Sequence, residues 1–389
     1  MIQRLLTPSN KSSFFLFGAR GTGKSTFISE QFLPQIKGEH IYYDLLNDET
    51  EERLSRNPSL IATDLTAAKK KPEWIIIDEV QKIPRLLDVV HSLIEKKKIK
   101  FILSGSSARK LKIEGANLLA GRAFDYRLFP ITFWELKSKF DLEQVLSFGS
   151  LPTVFCFQEK AEKIKYLKSY VTSYVKLEIQ MEQVVRKLDP FKQFLEVAAQ
   201  MNGKPLNYSR IGKEVGADTK TVINYFQILE DTYFGFILPA FHTSLRKSIL
   251  LTPKFYFFDI GVKRALERSL HSEPVPRTSY YGETFEHLVI IEIFRLNLYF
   301  ETDYALSYFS TKEGAEVDLV LSRGKRETIF IEIKSTISVD EVEVRKLSNL
   351  VSNTQIQAFY FSLDPVPQEI HGVRCLYWSD GIRGLFDKV

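Results

Sequence analysis

The chain has 389 residues, 44% of them hydrophobic, 13% aromatic and 26% charged, a balance that excludes an extended disordered protein. That length is too great for one ordinary core, so roughly two to four domains are expected. A formal net charge of +5 is too small to coat nucleic acid by charge alone, so any such contact must be local.

In chain order, SFFLFG, EHIYYDL, EWIIIDEV and KFILSGS are strand-like runs separated by amphipathic segments, which reads as a parallel α/β sheet. IIID and FILS are apolar at consecutive positions, as expected of central strands covered on both faces. From about Thr132 to Leu188 the pattern turns helical, suggesting a lid or connector. Between Phe191 and Phe241 come three helical stretches punctuated by Gly203 and Gly216, and then the apolar run FGFILPAF. From about Thr278 a helix through ETFEHLVIIEIF precedes the strand-like ALSYF, EVDLVLS and TIFIEIKS.

The first of these junctions carries chemistry. Gly18, Gly23, Lys24 and Ser25 have full P-loop spacing between a strand and a helix, in the segment Gly18-Ala19-Arg20-Gly21-Thr22-Gly23-Lys24-Ser25-Thr26. Backbone N–H groups in a glycine-permitted loop can converge on phosphate oxygens, and the following helix start adds partial positive charge. Lys24 is expected at the β- and γ-phosphates and Ser25 on Mg²⁺. Asp78 and Glu79 end an apolar strand, which suits one to hold the metal and the other to orient the attacking water. Ser104 and Ser106, at the end of the next buried strand, either sense the γ-phosphate or cap the following helix.

The series GARGTGKST, WIIIDEVQKIP, FILSGSSARKL and LLAGRAFDYRLFPITFWEL resembles the bacterial and archaeal AAA+ ATPases that carry a C-terminal nuclease-like domain. The resemblance extends through FGSLP, a winged-helix-like unit, EVDLVL and IEIKS, nearly the whole chain. It implies a nucleotide sensor at Ser104 or Ser106 and makes Arg122 either a charge-stabilising arginine or a plain surface ion pair.

In the middle unit, the order helix, helix, glycine turn, helix, strand is that of a helix-turn-helix with a wing. Thr219, Lys220, Thr221 and Asn224 would lie on the exposed face of its third helix, open to DNA or to a protein. In the last part Glu286 on a helix, Asp318 on a strand, and Glu332 with Lys334 on a further strand follow the order of a restriction-endonuclease-like core of the PD-(D/E)xK kind. Period-two alternation puts Glu332 and Lys334 on one face. Glu286, Asp318 and Glu332 could bind Mg²⁺ through hard oxygens, with Asp318, Glu332 and Lys334 catalytic in a metal-dependent nuclease.

The expected architecture is thus a P-loop AAA+ parallel-sheet domain over 1–131, a helical connector over 132–189, a winged helix-turn-helix over 190–241 and a restriction-endonuclease-like α/β domain over 242–389. The expected activity is ATP hydrolysis with ATP and Mg²⁺ as cofactors, coupled either to DNA or to a protein partner or second copy. Lys69 to Lys71 and Lys96 to Lys98 read as solvated faces. Cys156 and Cys375 lack a metal-ligand pattern and suit a reducing compartment. The start MIQRLLTPSNK has no apolar leader core, and no apolar run reaches the ~18 residues of a membrane span. A soluble cytoplasmic protein follows as the expectation.

Overall fold

The structure is a computed structural model describing residues 2–36, 38–109, 111, 119, 121–174, 188–242, 251–311, 314–324, 327–352 and 354–387. It divides into two compact units, Met1–Ile131 with Gln227–Phe234, and Thr132–Phe226 with Gly235–Val389.

The first unit is built on strands β1 (Ser13–Phe17), β2 (His40–Asp44), β3 (Trp74–Asp78), β4 (Lys100–Gly105) and β5 (Ala123–Arg127). They pair in the order β2-β3-β4-β1-β5, all parallel. The consecutive apolar residues of β1, β3 and β4 are buried, as interior strands covered on both faces require. Phe15, Phe17, Ile75, Ile77 and Leu103 share one core with Leu86, Leu87 and Val90 of the helix Leu86–Lys97. On the other face Phe14, Phe32, Trp74 and Tyr126 pack edge to face, with centroids 5.1 to 5.9 Å apart. Because β4 lies between β1 and β3, the carboxyl ends of these three strands are adjacent, where ligands collect in open parallel sheets. β5 was not expected from the sequence: its half-exposed AFDYR reads as polar because it forms the sheet edge. The segment Gln227–Phe234 closes onto this unit through Asp231, which accepts from Ala108 N–H at 3.2 Å and pairs with Arg109 at 3.1 Å.

The second unit begins with the helices Phe133–Leu136, Leu142–Phe148 and Lys160–Tyr174. The expected continuation of the last one, 175–187, lies outside the described residues. The helices Leu188–Gln200, Tyr208–Val215 and Thr219–Asp231 follow, the last of them counted from Gln227 onward with the first unit. Gly216 stops the middle one at φ 66°, a left-handed conformation that glycine adopts without a Cβ clash. Strand β6 (Gly235–Leu238) then pairs antiparallel with β7 (Lys254–Phe257), so the partner of FGFILPAF lies past Phe241.

After the short helix Ile260–Leu266 comes the helix Ser279–Tyr299, buried nearly all round, as a helix apolar on every face must be. The sheet is β8 (Ala305–Ser310), β9 (Glu316–Arg323), β10 (Glu327–Ile333), β11 (Gln357–Ser362), β12 (Gln368–Ile370) and β13 (Val373–Tyr377). Its order is β12-β13-β11-β10-β9-β8. β8, β9 and β10 form an antiparallel meander, while β10 and β11 are parallel and joined through the helix Glu341–Val351, the crossover a parallel pair needs. Val317, Val320, Phe330, Val344, Leu347 and Tyr360 fill the core under that helix. Cys156 and Cys375 are free thiols. Among the described residues no helix is long and apolar enough to cross a membrane.

Candidate functional site

β1 ends at Phe17, and the loop that follows turns on glycines. Gly18 has φ 156°, and a Cβ there would stand 2.2 Å from the Leu128 carbonyl oxygen. Gly21 and Gly23 have φ 76° and 90°, which an L side chain would resist. Lys24 is buried, and its ammonium donates to the loop's own carbonyls, Gly18 O at 2.8 Å and Ala19 O at 3.2 Å. Thr22 Oγ1 ties the turn by donating to Ala19 O at 2.9 Å. Arg20 is half-buried, and Ser25 and Thr26 are exposed at the helix start. Arg4 was not foreseen: its guanidinium donates to Thr22 O at 3.0 Å and Phe129 O at 2.6 Å, bracing the loop from the chain's first segment.

The acid end of β3 lies beside this loop. Ser25 Oγ donates to Asp78 Oδ2 at 2.6 Å, so the two residues expected on one metal ion are in contact. Tyr42, in the middle of β2, donates to the same oxygen at 2.7 Å, and Ser104 Oγ donates to Oδ1. Burial, with Asp78 beside it, holds the Tyr42 hydroxyl far above its ordinary range, so it remains a donor. Glu79 sits at φ 59°, ψ 45°, a left-handed conformation rare for a residue with a Cβ and one that accumulates at functional sites. Ser106 Oγ donates to Glu79 Oε2 at 3.1 Å, and Gln81 Nε2 donates to that oxygen as well. Ser104 and Ser106 therefore reach the two carboxylates, and the local turn bond, Arg109 N–H to Ser107 Oγ at 3.2 Å, is made by a third serine. Arg122 forms an exposed ion pair with Glu95 through its Nε.

In the second unit Lys334 Nζ bonds Glu332 Oε1 and lies 3.5 Å from Asp318 Oδ2, while Ile333 N–H donates to Asp318 Oδ2 at 2.8 Å. Lys334 stands one residue past the end of β10, so it closes the strand instead of continuing it. Two residues that the sequence reading missed come from β7. Tyr256 OH donates to Glu286 Oε1 at 2.6 Å, and Lys254 Nζ pairs with Glu316 at 2.6 Å. Burial, then Asp318, push Glu286 up to about 7, and the same two causes push Glu332 up to about 8. Burial works against the charge on Lys254, yet Glu286, Glu316 and Asp318 outweigh it and raise that ammonium. Glu286, Asp318 and Glu332 thus feel one another, but among the described residues no three His, Cys, Asp or Glu stand where they could hold a metal ion.

On the third helix of the middle unit Thr219, Lys220 and Asn224 are exposed. Thr221 was expected to face solvent; it is half-buried, and its N–H and hydroxyl both bond Asp218, at 2.9 and 2.7 Å, to cap the helix.

Residues 10–137 match the AAA domain family. Residues 139–272 and 281–370 match two domains of unknown function, DUF8612 and DUF4143. An uncharacterized protein of Haemophilus influenzae is 21% identical over 391 residues, 93% of this chain and 92% of its own. One from Methanocaldococcus jannaschii is 25% identical over 386 residues, 85% of this chain and 77% of its own. One from Mycobacterium tuberculosis is 23% identical over 326 residues, 82% and 70% respectively. The solved structure of the Aeropyrum pernix ORC1 protein in complex with DNA aligns with 68% of this chain and 87% of its own at 12% identity, with a TM-score of 0.25, too low for either fold or function to carry over. The glycine loop, the order of the parallel strands and the family match converge on residues 10–137 as an AAA-type P-loop domain.

Proposed function

We propose that the chain binds and hydrolyses ATP at the carboxyl ends of β1, β3 and β4 and uses nucleotide state to control a DNA-directed carboxy-terminal domain. The contact between Ser25 and Asp78, 2.6 Å across the end of the sheet, carries the ATP reading because it joins a P-loop hydroxyl to a strand-end carboxylate. That pair offers hard oxygens of the kind Mg²⁺ takes, and bound there Mg²⁺ would neutralise charge on the transferring phosphate. The backbone N–H groups from Gly18 to Thr26 would cradle the phosphates, and Lys24 would turn its ammonium from the loop carbonyls to the β- and γ-oxygens. Glu79 would orient the attacking water, with Ser104 and Ser106 sensing the γ-phosphate through the carboxylates they already bond. Arg122 would have to leave Glu95 before it could stabilise charge.

In the carboxy-terminal domain the helix, the meander and the crossover helix follow the order of a restriction-endonuclease-like core, and the preceding three helices with β6 and β7 that of a winged helix. Glu286, Asp318 and Glu332 would then have to draw closer together before they could serve as the metal ligands of a nuclease site, with Lys334 beside them. A second reading is favoured by one observation: Lys254 and Lys334 already answer this acidic charge, as in a domain kept for recognition of a protein partner. Purified protein given ATP and Mg²⁺ should release phosphate, and inert protein would sink the ATPase reading. Nicking of plasmid with Mg²⁺ or Mn²⁺, lost in Asp318→Ala, separates the nuclease from the recognition domain.

A further inference from the structure

Gln81 lies in the single tight turn Val80–Lys82 that follows Glu79, and at 2% exposure its amide is out of reach of solvent. Its Nε2 donates to Glu79 Oε2 and to Ser106 Oγ, the latter at 3.2 Å, while Ser106 Oγ donates to that same Glu79 oxygen at 3.1 Å. A carboxylate can only accept, so chemistry requires that the amide turn its nitrogen to Glu79 and its oxygen away.

Gln81 Oε1 finds no donor among the described residues. It points at Gly105, where a Cβ would stand 2.4 Å away, with the Phe17 ring next to it. A buried amide oxygen left without a partner costs free energy, and such local costs persist where the surroundings over-determine them. Here the amide is fixed for what its nitrogen does. Among the described residues both side-chain donors fall on Glu79 Oε2, which leaves Glu79 Oε1 as the oxygen to meet a water.

We propose that Gln81 is a positioning residue for hydrolysis, clamping one oxygen of Glu79 so that the other is presented to the attacking water. Gly105 is the space that allows it. The inference rests on the ATPase reading and deepens it.

The test is steady-state ATP hydrolysis by the full chain with Mg²⁺. Gln81→Leu should lower kcat roughly 10- to 100-fold with KM for ATP nearly unchanged, since a misplaced catalytic group costs turnover and leaves the phosphate contacts alone. Gly105→Ala should do the same by displacing the amide. Gln81→Glu supplies the readout a structural role would not move. A carboxylic acid can donate to Glu79 only while protonated, and two neighbouring carboxylates raise the pKa of one of them. Its kcat relative to the native chain should therefore recover as pH is lowered from about 8 to about 6. An unchanged or raised kcat in Gln81→Leu, or a Gln81→Glu profile parallel to the native one, overturns the proposal while the ATPase reading stands. A native chain that hydrolyses no ATP overturns both.

Discussion

At the end of β3, Asp78 accepts hydrogen bonds from three hydroxyls, those of Ser25, Tyr42 and Ser104. In the carboxy-terminal cluster, Asp318 and Glu332 meet the ammonium of Lys334, and Glu316 meets that of Lys254. Hydroxyls orient a carboxylate and leave its charge in place for a divalent cation; ammonium groups cancel it. Clustered acids alone therefore say little about metal binding, and the groups that answer them say more.

Breaking the first site should have the largest effect. Lys24→Ala is expected to abolish nucleotide binding as read by a fluorescent ATP analogue. Glu79→Gln should keep binding and lose on the order of 10²-fold or more in turnover, the usual worth of a group that handles the attacking water. Native turnover in Glu79→Gln would remove Glu79 from that role.

In the second cluster a stability readout should respond more than any turnover. Lys254 is almost wholly buried, facing Glu286, Glu316 and Asp318. Lys254→Met should leave those acids uncompensated and cost on the order of 3 kcal/mol in urea unfolding near pH 8, less at acid pH where the acids take up protons. A cost that does not vary with pH would mean that Lys254 acts by packing alone.

The acids also set a pH dependence. Burial pushes Glu286 and Glu292 up to about 7, and Glu332 up to about 8, from an ordinary 4.5. The folded chain thus binds more protons than the unfolded one across that window, so stability falls as pH rises through it. His287 opposes this: burial pulls it from 6.5 to about 3, so the stability it contributes is lost as pH falls below 6.5. Above 6.5 the histidine no longer counters the acids. Melting temperature should decline from about pH 6.5 to about pH 8, and decline less in Glu332→Gln. Equal slopes in the two proteins would show that Glu332 does not lie behind it.

The residues that were legible in the sequence are those whose role is local. Gly18 through Ser25 announce a phosphate loop because spacing, glycine and lysine all fall within one turn of chain, and IIID and FILS announce interior strands through burial on both faces. Glu286, Asp318, Glu332 and Lys334 were legible as a group by their order. The further partners of this acidic region were not, because Lys254, which pairs with Glu316, and Tyr256, which bonds Glu286, arrive from β7, far from those strands in sequence. Their spacing of two within KFYF was the available signal, since it puts both on one face of a strand. No sequence pattern singles out Gln81, and only its burial, with an oxygen unmatched among the described residues, sets it apart.

The smallest expected effect concerns the third helix of the middle unit, where the comparison between open and answered charge recurs at the surface. Lys220 is exposed near the helix start, but Asp218 precedes it, and the hydrogen bonds from Thr221 hold that carboxyl below its ordinary range. A phosphate docking at the helix start would meet this negative charge. Ile223, 48% exposed beside Asn224, adds an apolar group that phosphate contact does not need and a protein surface would use. If DNA lies on this face, Lys220→Ala should make the dependence of log affinity on log salt shallower by about one, with affinity falling alike for all sequences. Asp218→Asn should strengthen binding, because it removes repulsion at the same spot. If titrations show neither change while Ile223→Ser weakens binding of a partner protein, the helix is a protein-docking element.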